Sequence, residues 1–143
     1  MACQITFKDR WVQLNNRQFG NLVEFAIEVA EASVADSETA NVDRMKEMRD
    51  ERFWPGRGIE IEEDFPDTSE RKFWSRVFFD TARAIFERGV GLHEHTYWQA
   101  QAIHQAYTTG LLFEFAVRDS EPGWSADTID RREFDKVVNG IEP

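Results

Sequence analysis

Apolar residues along this chain change their spacing several times, and each change marks a predicted element. Residues 4–14, QITFKDRWVQL, place Ile5 and Phe7 in alternation, interrupt at Lys8-Asp9-Arg10, and resume with Trp11 and Val12. Side chains alternate across a strand with period two, so this pattern predicts a short hairpin around a polar turn. From Asn16 the period lengthens. Phe19, Leu22, Val23, Ala26, Val29, Ala30 and Val34 follow helical spacing, Asn15 or Asn16 can cap the start, and the run ends near Asp36.

A second amphipathic run, Val42, Met45, Met48 and Phe53, continues to WPGRG. Pro55 cannot extend a helix, and Gly56 and Gly58 suit a turn. IEIEE, residues 59–63, alternates and predicts a short edge strand, with its pairing to the N-terminal segment left open.

The strongest helical pattern follows. Asp67 and Glu70 have the spacing of a capping box, and Gly89 suits the stop. Phe73, Trp74, Val77, Phe78, Phe79, Ala82, Ile85 and Phe86 cover more than half of the circumference, as expected of a central helix. A further helix is predicted from Thr96 to about Arg118, then a loop, DSEPGWSAD. A last helix, from about Asp130 to Val138, carries a second capping box at Asp130 and Glu133. The fold class expected is mainly α: a bundle of about five helices with a short N-terminal hairpin or strand, folded as a single globular domain over 1–143.

Length and composition agree with that expectation. A 143-residue chain that is 41% apolar, with twelve Phe, five Trp and two Tyr, has the material for one core. Its single cysteine, Cys3, permits no intramolecular disulfide. No signal-peptide pattern opens the sequence, and no apolar run approaches the ~20 residues of a membrane span. The expected setting is cytoplasmic. A net charge of −10 repels phosphate backbones and anionic lipid, which argues against nucleic-acid and membrane partners and for a basic protein partner.

Candidate chemistry is sparse. All three histidines lie in GLHEHTYWQAQAIHQAY, residues 91–107. His93 and His95 would share a side if extended, but His104 is nine positions beyond His95, more than about 10 Å away along a helix. HExxH is absent, and HxH alone is a weak metal signal. The simpler reading is a turn and a helix start, with no metal or other cofactor. A ligand or metal site at His93, His95 and His104, with Glu94 or Glu114, is the alternative. Serine-nucleophile elbows, phosphate-binding loops and calcium loops are missing.

Two acidic features remain. Glu24, Glu28 and Glu31 form one face of the first helix, offset either by Arg44, Lys46, Arg49 and Arg52 of an antiparallel second helix or by a basic partner. Glu60, Glu62, Glu63, Asp64 and Asp67 surround Phe65 and Ile61. This is a protein-binding surface if Phe65 is exposed, and merely solvated acid if both apolar residues turn inward. The function expected is that of a small acidic, non-catalytic binding protein that occludes a basic partner. Small acidic immunity proteins, which neutralise a basic toxin, share this size, charge and lack of catalytic motifs, although no residue motif here identifies such a family. Homo-oligomers are compatible with the tryptophan content, notably Trp54, Trp98 and Trp124.

Overall fold

The computed structural model describes residues 2–51, 58–88 and 96–126, and it is mainly α with a small sheet. In chain order the elements are β1 (Ala2–Phe7), β2 (Arg10–Asn15), α1 (Asn16–Ser33), α2 (Thr39–Glu51), β3 (Ile59–Glu60), α3 (Ile61–Asp64), α4 (Thr68–Arg88) and α5 (Thr96–Arg118). A single 3-10 turn at Asp36–Glu38 joins α1 to α2.

The hairpin forms as its alternation predicts. β1 and β2 pair antiparallel from Ala2↔Asn15 to Phe7↔Arg10, with Lys8 at φ 55 in the two-residue connection. Cys3, Ile5, Phe7 and Leu14 turn inward and are buried. The open question of pairing has a definite answer: β3 lies parallel to β1, matching Ile5 with Ile59 and Thr6 with Glu60, so β1 is the middle strand. Gly58 makes that approach possible. It sits at φ 77, and a Cβ there would fall 2.0 Å from the Gln4 carbonyl oxygen.

Only two residues of IEIEE are a strand, which corrects the expectation of an extended run over 59–63. The Asp64 carboxylate accepts from the backbone N–H of Glu60 at 2.9 Å, and Phe65 N–H closes on Ile61 at 2.9 Å. A carboxylate that satisfies a free N–H in this way favours one turn of helix over a continued ladder.

Asn15 caps α1 with a complete capping box: its side chain accepts from Gln18 N–H, and the Gln18 side chain accepts from Asn15 N–H. At α4 only half of the expected box exists. Asp67 accepts from Ser69 N–H at 2.8 Å, but Glu70 is drawn away to Arg44. The stronger attraction of a guanidinium outcompetes a neutral N–H for that carboxylate.

α4 and α5 carry the core between them. Phe78 stacks on Phe113 with centroids 5.5 Å apart, Ser75 donates to the Gly110 carbonyl, and Trp74, Phe79 and Ala82 are fully buried. Gly110 is a true contact point, since a Cβ there would meet the Phe79 ring at 3.0 Å. The other buried apolar side chains, from α1, α2, the sheet and α3, join the same cluster. The helix expected at 130–138, and Phe53 and Arg52 at the end of the second amphipathic run, lie outside the described residues. Among the described residues no helix is long and apolar enough to cross a membrane.

Candidate functional site

The acidic face of α1 is met from within the molecule. Lys46 Nζ lies 2.8 Å from Glu31, and Arg49 Nη1 lies 2.8 Å from Glu24. The later residue of α1 meets the earlier residue of α2, so the two helices run antiparallel. Glu28, exposed between these pairs, makes no ion pair among the described residues. Two of the three carboxylates are therefore already offset, and exposed pairs of this kind contribute at most about 1 kcal/mol each.

The segment from Glu60 to Phe65 divides by burial. Ile61, Asp64 and Phe65 are fully buried, whereas Glu60, Glu62 and Glu63 are exposed. Phe65 packs edge-on against Phe113 with centroids 5.3 Å apart, and its carbonyl receives Arg71 Nε at 2.6 Å. Phe65 is thus a core residue rather than a surface anchor, and the buried Asp64 carboxylate is spent on the Glu60 N–H rather than offered as a steering charge. The apolar pull of the α4–α5 layer explains the inward turn of Phe65.

Under this segment lies a group of charges, with Glu70 and Arg71 buried and Arg44 only partly so. Arg44 reaches from α2 to the Glu70 carboxylate and to the Asp64 carbonyl, with its Cζ 5.4 Å from the Phe65 ring. Burial pushes the Glu70 carboxyl above the ordinary carboxylate range; Arg44 opposes that shift and nearby Asp67 adds to it. Glu70 Oε2 is fully enclosed and has no hydrogen-bond partner among the described residues. Arg71, also buried, spends its donors on two backbone carbonyls, Phe65 and Ala116, and lies over the Phe7 ring. Desolvation lowers its pKa. These side chains pin α2, α3, α4 and α5 to one another, which is an architectural role.

The exposed aromatic that the acidic segment lacked is supplied by β2. Trp11 is 61% exposed, and only Phe115, at 38%, joins it as an exposed large apolar side chain among the described residues. Register places Trp11 opposite Thr6, and Thr6 opposite Glu60. Directly opposed residues share a sheet face, so Glu60, Thr6 and Trp11 form one row across the outer face, about 10 Å from end to end at ordinary strand spacing. The signal was present in the sequence: once Lys8-Asp9 is taken as the turn, Val12 and Leu14 follow Ile5 and Phe7 inward, which leaves Trp11 and Gln13 outside.

Beside this face runs a groove between β2 and α5, about 490 Å³ in volume, lined among others by Arg10, Val12, Leu111, Phe115 and Arg118. Arg10 lies over Phe115, its Cζ 4.1 Å from the ring centroid. Glu114 is buried at one end of the groove and accepts from Ala126 N–H at 2.9 Å, so it acts as a turn anchor.

The histidine alternative divides in the same way. His104 is exposed on α5, while His93, His95 and Glu94 lie outside the described residues. Among the described residues, no three His, Cys, Asp or Glu side chains are grouped closely enough to hold a metal ion. Comparison with known proteins yields no matching family, and no characterised protein or solved structure with significant similarity.

Proposed function

We propose that this chain is a small non-catalytic binding protein of the cytoplasm, of the immunity or inhibitor type, that occludes a basic protein partner. The observation that carries this reading is the outer row of the sheet, where an exposed tryptophan stands on the same face as Glu60, with Glu62 and Glu63 next along the chain. A net charge of −10 raises the encounter rate with a basic protein, and a desolvated tryptophan sets the residence time. Glu24 and Glu31 contribute chiefly to the overall field, since each already has a cation beside it. Glu28 adds to that field.

The test is capture of a partner from the native host by the tagged protein at low salt, followed by titration with the purified partner. Trp11→Ala and the triple reversal Glu60→Lys, Glu62→Lys, Glu63→Lys are each expected to weaken binding about tenfold or more. The unfolding midpoint should hardly change, because these side chains are exposed. Equal affinity for wild type and both variants would overturn the reading.

A further inference from the structure

Among the described residues, no element pairs with the outer edge of the strand that carries Trp11. In the order β2-β1-β3, β2 is an outer strand. The two-residue connection makes Phe7 and Arg10 the closing pair, so Arg10, Val12 and Leu14 turn their backbone groups toward β1. Trp11, Gln13 and Asn15 turn theirs outward. Asn15 shows the parity directly, since its N–H is taken by the Gln18 side chain at 3.0 Å. No hydrogen bond to the outward groups of Trp11 or Gln13 is present among the described residues.

Edges of this kind are normally blunted by lysine, proline, a bulge or a covering element. From Trp11 to Asn15 the strand WVQLN has no charge and no proline. Along the edge, the groove presents Val12, half-buried Leu111 and partly exposed Phe115.

We propose that this edge, with the α5 stripe beside it, is an interface for a second copy of the same chain, joining two three-stranded sheets into one of six strands about a two-fold axis. The edge is self-complementary. Antiparallel pairing of β2 with its copy sets Trp11 opposite Gln13 of the second copy, Gln13 opposite its Trp11, and Val12 opposite Val12 on the axis. The outward groups of both residues then close two hydrogen-bonded pairs, and Leu111 and Phe115 of each copy are brought toward the other's. A symmetric interface of this kind uses the same patch twice.

At the ends of the edge the local charges match a second copy, although the net charge of −10 on each chain opposes association at long range. Asp9 and Arg17 flank the uncharged stretch, are exposed, and have no ion pair among the described residues. In the stated register Asp9 stands opposite Asn15 of the second copy, two residues from its Arg17. The two-fold axis repeats that match, so each copy offers one acid and one base to the other. Arg10, the remaining charge on the strand, stands opposite Leu14, well away from its own counterpart.

Sedimentation velocity across a concentration series at physiological salt tests the proposal. Wild type is expected to pass from monomer to dimer as concentration rises. Gln13→Pro should remain monomeric, because it deletes an outward N–H while leaving every bond to β1 intact. Asp9→Lys should weaken dimerisation about tenfold, and Asp9→Lys with Arg17→Asp should restore it. The charge-swapped pair keeps the test decisive should the proline variant not fold, because both positions are exposed. A monomer at every concentration, or a dimer indifferent to both Gln13→Pro and Asp9→Lys, would overturn the interface. Dimerisation is measured without the basic partner, so its failure and that of the proposed function are separate results.

Discussion

Arg71 donates from Nε to the carbonyl oxygen of Phe65 at 2.6 Å, and through this bond a buried cation holds the turn between α3 and α4. Its second bond, to Ala116 at 3.1 Å, ties the same guanidinium to α5. Arg71→Ala leaves the Phe65 carbonyl without its donor, takes from the Ala116 carbonyl the shorter of its two bonds (the other comes from Asp119 N–H at 3.4 Å), and empties the space above Phe7. Loss of about 3 kcal/mol is expected, and urea unfolding measures it. Arg71→Lys should recover only part of that loss, since one ammonium cannot span both carbonyls with the geometry of a fork.

Glu70 makes stability fall with rising pH over a defined window. Its folded-state pKa is raised, chiefly by burial, so between the ordinary carboxylate value and the raised one the folded state binds more proton than the unfolded chain. The contribution is favourable below that window and is lost as pH rises through it. Asp80, raised by burial against the pull of Arg83, acts in the same sense. The difference in unfolding free energy between wild type and Glu70→Gln should therefore shift against wild type from mildly acid to neutral pH. A difference that is flat with pH would show that burial leaves this carboxyl unaffected.

Gly58→Ala should be among the most damaging single changes in the chain. The added methyl would stand 2.0 Å from the Gln4 carbonyl oxygen, at a φ of 77 that side chains avoid. Both terms oppose the pairing of β3 with β1, and a cost of about 3 kcal/mol or more is expected. Thermal unfolding followed by circular dichroism reads the effect. Gly20→Ala, where a methyl meets nothing within 4 Å, is the matched control and should be neutral to stabilising.

The α1–α2 ion pairs should contribute little despite their number. Glu24 is 57% exposed in its pair with Arg49, and Glu31 50% exposed in its pair with Lys46. A double-mutant cycle across either pair should give a coupling below about 1 kcal/mol that shrinks further in high salt. A coupling several times larger would mean that these pairs, rather than Val42, Met45 and Met48, hold α2 in place.

Long periodic segments were the legible part of the fold. Phe19 to Ala30, and Phe73 to Ala82, announce their helices because many residues repeat one spacing and each omission would expose apolar surface. The short segment after Gly58 was not legible. Ile59 and Ile61 are buried whether the chain continues as a strand or turns into helix, so their alternation cannot separate the two. The deciding contact, Asp64 to the Glu60 N–H, depends on where β3 meets β1. The division of the acidic segment into surface and core was not legible for a related reason. Five acids surround Phe65 in sequence, which leaves its exposure open, and a single aromatic turns inward from an acidic loop when a layer such as Phe78 and Phe113 awaits it. Trp11 carries no acidic signal in sequence, since Arg10 and Val12 flank it and Glu60 joins it only across the sheet.

The parallel match of β3 to β1 also governs the order of assembly during synthesis. β1 and β2 are joined by two residues and can close as soon as both have left the ribosome, on the microsecond scale of hairpins. The other edge of β1 must wait until α1, α2 and the following segment have been made, since its partner is Ile59–Glu60. Through that interval the middle strand of the finished sheet is an open edge bearing Ile5 and Phe7 without their cover. Conditions that slow translation between residues 16 and 58 should therefore lengthen the nascent chain's exposure to aggregation and to chaperones, although the mature protein shows no trace of the delay.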